Sequence, residues 1–239
     1  MEKRDKRNFI ISACLLLLFI IYTIIVKYVD VSVAGETMQE VGLSSLNTAI
    51  FDAIGVSLFW NRLTIYLGYI ILIIPVIFVV IAFVQWIKRK QLKLVDREFY
   101  ILAMFYVMIA CLYILFEELS INNRPVFVDG EIEASYPSSH SLLACSIIGS
   151  AIILISHRIR NKKIAIPLIS ISAVILVVEV VGRLLSGVHW FTDIIGGIIL
   201  GAFTVHLLYA GLSYYWSNIK NRIVEDNTLQ DVIPEAENL

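Results

Sequence analysis

The sequence predicts an all-α, polytopic membrane protein of six spanning helices, and three observations carry that prediction. Of the 239 residues, 59% are hydrophobic and 16% charged, far more apolar than a soluble domain, where about a quarter of residues are charged. Six apolar stretches come near the roughly 20 residues that a helix needs to cross a bilayer. Lysine and arginine collect in alternate connections, as they do in cytoplasmic loops.

The first stretch, 9–28, follows Lys3, Arg4, Lys6 and Arg7. Its apolar core exceeds the ~7–15 residues of a secretory signal, so a retained helix is expected even though Ser32, Val33 and Ala34 offer small residues for cleavage. The connection 31–62 has mixed polarity. In it Val41, Leu43, Leu46, Ile50, Phe51 and Ile54 recur at helical spacing, which predicts an interfacial amphipathic helix that covers the bundle end or admits lipid. The second stretch, 63–86, precedes Lys88, Arg89, Lys90, Lys93 and Arg97. The third, 99–116, leads into a polar loop. The fourth, 141–156, is the shortest and precedes Arg158, Arg160, Lys162 and Lys163; the fifth is 164–181; the sixth, 194–216, precedes Lys220 and Arg222.

The basic clusters therefore place both termini in the cytoplasm. Only Lys27, Arg62, Arg124 and Arg183 fall at the opposite face, and a cation set against the topological bias needs a local reason. Residues 1–224 form one membrane domain in this reading. The tail 225–239 carries five acids, no bases and a proline, a composition that predicts disorder. Cys14, Cys111 and Cys145 all lie inside apolar stretches and suit small core residues better than disulfides or metal ligands. A formal net charge of -1 supplies no basic surface for nucleic acid.

Three polar clusters interrupt the apolar chain near one face: Arg124 with Pro125, the run Pro137, Ser138, Ser139, His140, and the series Arg183, His189, Asp193. Arginine forks match phosphate oxygens, a histidine beside a carboxylate can act as nucleophile, and a second histidine can protonate a leaving oxygen. Pro137 suits the first turn of the fourth helix. The free amides of that helix start, with the Ser138 and Ser139 hydroxyls, make an anion site. His189 and Asp193 stand four residues apart, on one face of a helix. Trp190 and Phe191 fit an interfacial aromatic belt. His157 and His206 lie away from every cluster and read as structural. Glu179, four residues before Arg183, is an acid at membrane depth and calls for an i,i+4 partner.

The order and spacing of these clusters resemble the type 2 phosphatidic acid phosphatase family, whose signature runs Lys-x6-Arg-Pro, Pro-Ser-Gly-His, Ser-Arg-x5-His-x3-Asp. The resemblance covers roughly 63–216. Three positions depart from it: Glu117 stands where the lysine is expected, Ser139 replaces glycine and Gly182 replaces serine. The resemblance implies a cofactor-free phosphatase acting on a lipid phosphate; the alternating basic loops place its site at the non-cytoplasmic face, and the short cytoplasmic loops point to a bacterial plasma membrane. The resemblance assigns His189 as nucleophile, Asp193 as its orienting carboxylate, His140 as general acid and Arg124 and Arg183 as phosphate clamps. Candidate substrates it implies are undecaprenyl diphosphate, phosphatidylglycerophosphate and phosphatidic acid. Glu117 reverses a charge expected to touch phosphate, so a binder or transport component without turnover is the rival expectation.

Overall fold

The structure, a computed structural model, describes residues 3–236, with side chains through Ile219 and at Asn221. Among the described residues, seven of eight α-helices supply six spans: α1 (Lys3–Tyr28), α3 with α4 (Leu58–Ile71 and Ile73–Arg89), α5 (Arg97–Leu119), α6 (Ser139–Arg158), α7 (Lys162–Ser186) and the first part of α8 (Phe191–Ala236). The second span is broken where one continuous helix is expected. Pro75 has no amide proton to give the carbonyl of Ile71, so the ladder fails around Leu72.

Between α1 and α3 lies an outer cap. Strands β1 (Ser32–Ala34) and β2 (Gln39–Val41) pair antiparallel, with Ser32 opposite Val41 and Ala34 opposite Gln39, and α2 (Ser44–Ile54) follows. The predicted amphipathic helix thus begins three residues late. Val41 is in the hairpin and Leu43 is left-handed at φ 48°, because Gly42 passes directly against the Val26 carbonyl. The helix seals the bundle end: Phe51 packs on Trp190 with ring centroids 5.6 Å apart.

Two buried apolar clusters fill the bundle around α8. One joins Phe99, Leu102, Phe105 and Ile109 of α5 to Leu154, Leu208 and Leu212. The other joins Phe19 and Val26 of α1 to Tyr136, Leu142 and Leu200. Helix α4 buries no residue fully and presents its side chains to lipid. Lipid is as apolar as leucine, so close helix contacts come instead from small residues. Gly197 lies on the Ser138 carbonyl and Ser141, Gly201 on Cys145, Gly149 on Val205, and Ser146 bonds Thr204 at 2.8 Å. These contacts clamp α6 to α8.

At the end away from the motifs, the charges cluster. Arg158 bonds Asp96 at 2.8 Å and Glu98 at 2.5 Å, Trp216 donates to Glu98 at 2.6 Å, and His157 stacks on Trp216 at 3.5 Å. His206 bonds the Ser12 hydroxyl at 2.9 Å, so both histidines read as structural have structural partners. Where composition predicts disorder beyond Glu225, the backbone is helical as far as Ala236. Residues 237–239 lie outside the described ones.

Candidate active site

Each motif is delivered by a different element. Arg124 sits in the loop between α5 and α6, His140 in the first turn of α6, Arg183 in the last turn of α7, and His189 in the short turn before α8. Gly187 makes that turn possible: it has φ +69°, and a side chain there would strike the Gly55 carbonyl.

The turn is locked by its own residues. Asp193 accepts from the Trp190 amide at 2.9 Å, the back-reaching half of a capping box, and from Asn122 Nδ2 at 3.3 Å. His189 Nδ1 stands 3.8 Å from Asp193 Oδ2, beyond hydrogen-bond reach, and His189 lies in the turn ahead of α8 instead of on the shared helix face that the i,i+4 spacing predicts. On the ring's other side Arg124 Nη1 approaches Nε2 at 3.1 Å. His189 is buried, and that burial, followed by the charges of Arg124 and Arg183, holds its imidazole well below the usual histidine range. A ring kept unprotonated has a free lone pair, which a nucleophile needs.

Arg124 is steered by an acid the sequence reading passed over. Glu133 meets its Nε at 2.9 Å, while Glu117 makes no ion pair within 4.0 Å among the described residues and stands exposed at the mouth of a cleft that also includes His189, Ser139 and Tyr136. Arg183 also finds other partners than expected. It donates to Asn61 at 3.0 Å and Thr64 at 3.3 Å on α3, and the predicted Glu179 to Arg183 pair does not close to 4.0 Å. Glu179 is fully buried with both oxygens unpaired. The α3 side chains reach the guanidinium first because Gly182 lets Thr64 and Trp60 lie directly against α7.

Ser138 is the N-cap of α6, so Pro137 precedes the helix instead of opening it. The Ser138 hydroxyl accepts from the Ser141 amide at 3.4 Å and the Ser141 hydroxyl at 3.1 Å, which commits it to the cap. Ser139 is the serine that lines the cleft with His189. The Ser138 amide donates to the Asp193 carbonyl at 2.9 Å, fixing the start of α6 against the start of α8. His140 faces α3 at Gly68, where an added methyl would sit 3.5 Å from its ring. Trp190 is no belt residue: it is buried, and its indole donates to the Asn123 carbonyl at 2.7 Å.

Residues 102–217 match the profile of the PAP2 superfamily. This stretch of the chain is a PAP2 superfamily domain. The fold is shared with a crystal structure described as the first transmembrane PAP2-type phosphatidylglycerolphosphate phosphatase from Bacillus subtilis, at a TM-score of 0.61 and 21% identity over 85% of this chain and 96% of that one. No curated protein matches the chain. The PAP2 stretch includes every motif residue, yet Asn61, Thr64 and Gly68, which touch Arg183 and His140, lie before it. Asn47 lies before it too; it bonds Thr192 Oγ1 at 2.9 Å and accepts from the Thr192 amide at 3.1 Å, capping α8 from α2. In the sequence, the run Asn122, Asn123 ahead of Arg124 was the available sign of loop side chains that bond inward.

Proposed function

We propose that this protein is an integral-membrane lipid phosphate phosphatase that cleaves a phosphomonoester or diphosphate through a phosphohistidine on His189, without a cofactor. One arrangement supports this above all: a buried histidine with a guanidinium 3.1 Å from Nε2 and a carboxylate 3.8 Å from Nδ1, at the end of a membrane bundle. Nε2 attacks phosphorus and the bond to the leaving oxygen breaks as protonated His140 donates to it. Water then attacks the phosphohistidine, His140 accepts the proton, and inorganic phosphate departs. Asp193, 3.8 Å from Nδ1 without substrate, closes to accept Nδ1–H and orient the ring in the reacting complex. Arg124 and Arg183 bind the non-bridging oxygens, where charge develops. In this reading Arg124 turns from Nε2 to the phosphate when substrate arrives, and Ser139 adds a donor at the head of α6.

Residues 1–224 would form the phosphatase unit in a bacterial plasma membrane, with both termini cytoplasmic and the site on the other face. Undecaprenyl diphosphate, phosphatidylglycerophosphate and phosphatidic acid are the substrates to test. A specific observation favours the rival, a lipid phosphate binder without turnover: Glu117 occupies the lysine position and Arg124 is already held by Glu133. Purified protein offered these lipids separates the two. Release of inorganic phosphate with a trapped phosphohistidine is expected, and saturable binding without release would establish the binder.

A further inference from the structure

The apolar wall beside the site contains a groove in two parts. The outer cavity, about 610 Å³, runs between α3, α5 and α6 and has Ser139 and His140 at its head. Tyr113 and Ser139 also line the cleft that reaches His189, so the cavity and the cleft adjoin at these two residues. The inner cavity, about 290 Å³, continues between α4 and α5 as far as Trp86 and Val95.

The two parts have just Pro75 and Tyr106 in common. Tyr106 is tethered: its hydroxyl lies 2.7 Å from Ser150 Oγ, whose own proton goes to the Ile147 carbonyl at 2.7 Å. Tyr106 is therefore the donor, and one hydrogen bond to α6 fixes its ring at the junction. Pro75 opposes it at the break in the second span, where the backbone cannot straighten.

Depth gives this junction a meaning. From Tyr113 to Tyr106, α5 descends roughly 10 Å at about 1.5 Å per residue, and from Tyr113 to Phe99 roughly 21 Å. One leaflet of a ~30 Å hydrocarbon core is about 15 Å thick. A chain in the outer cavity alone ends within its leaflet, and a chain filling both passes the midplane.

We propose that Tyr106 is the chain-length gate of this groove, and that the groove holds a single hydrocarbon chain of the lipid whose phosphate lies at His189. The head-group end of this inference rests on the phosphatase reading. With Tyr106 on Ser150 the groove stops at the ring; with the hydroxyl released and the ring rotated, the two cavities join and accept a chain longer than a leaflet. The neck has one residue on each side, which fits one chain and not a pair.

The test uses the full chain in nanodiscs with a short-chain and a long-chain alkyl monophosphate, each carrying a diazirine at the chain end. After illumination the short probe should label Ile65, Leu143 or Ile147, and the long probe Phe78, Phe83 or Phe99. Hydrolysis should follow the same division. In Tyr106→Ala the ratio of kcat/KM for long over short chains should rise roughly tenfold, the scale of discrimination in an apolar pocket. Tyr106→Phe, which loses only the tether, should raise it by less, and Tyr106→Trp should lower it. Labelling at the same residues by both probes, or an unchanged ratio in Tyr106→Ala and Tyr106→Phe, would overturn the gate. Labelling requires no turnover. A protein that hydrolyses neither probe would refute the phosphatase reading, and the labelled positions would still decide the gate.

Discussion

His189 is unprotonated because its surroundings refuse the charge: it is buried first and flanked by Arg124 and Arg183 second. The unfolded ring titrates near about 6.5, so below that pH the unfolded chain binds a proton that the native ring does not, and native stability falls as pH falls. Thermal melts from neutral to mildly acidic pH should show this loss, and His189→Gln should flatten it. His189→Ala should abolish phosphoenzyme formation and turnover on any substrate, whereas His140→Ala should still release a leaving group that needs no proton; near wild-type hydrolysis of para-nitrophenyl phosphate by His189→Ala would reject the nucleophile. Two acids stand near Arg124, Glu133 on its Nε and Glu117 at the mouth of the cleft. Glu117 does not pair with Arg124, so Glu117→Lys adds a cation at the mouth of the cleft without repelling a partner already in place. A charge-assisted bond is worth about 1.5–3 kcal/mol, which predicts a rise in kcat/KM of roughly tenfold on one lipid substrate. Unchanged kinetics would remove Glu117 from the site. The motif residues were legible in the sequence because their chemistry demands fixed spacing. Glu133 and Asn61 were not, since Glu133 meets Arg124 only through the way their shared loop folds back, Asn61 reaches Arg183 from another helix, and no spacing rule connects either pair.

At the scale of the helices, α6 and α8 meet through glycine. A side chain at Gly201 would overlap Cys145, whereas one at Gly211 meets nothing within 4 Å. Gly201→Val should separate the two helices, cost about 1–3 kcal/mol as overpacking does, and lower kcat by moving His140 from His189. Gly211→Ala should leave activity intact and stabilise by up to about 1 kcal/mol, the propensity difference between the two residues. Melting temperature and turnover measured on both variants distinguish a packing role from a general intolerance of glycine replacement. Hydropathy located the spans but could not pair them. It also ran through the break at Pro75 and took residues 41–54 as one helix, because apolar periodicity records which faces avoid water and does not record where Gly42 must let the backbone pass Val26.

Across the whole molecule, the bundle separates two polar poles, Arg124, His140, Arg183 and His189 at one end and Asp96, Glu98 and Arg158 at the other. If basic loops set the orientation, cysteine at Glu131 should react with an impermeant maleimide in intact cells and cysteine at Lys162 should not, in a protein lacking Cys14, Cys111 and Cys145. Labelling at position 162 alone would invert the topology. The contacts at the pole away from the site would act as a pivot for any tilt of α6. Glu98 in the first turn of α5 and Asp96 at its N-cap hold Arg158 of α6, and Glu98 holds Trp216 of α8, so these helices are pinned where they are furthest from the chemistry. Helix α6 is about 30 Å long, and a tilt of ~3° about its pinned end swings its other end through roughly 1.5 Å. Misplacement of that size is enough to cost a hundredfold in rate. The lever makes Glu98, a residue that never meets substrate, a determinant of how His140 is aimed, and Glu98→Gln should lower kcat more than it raises KM.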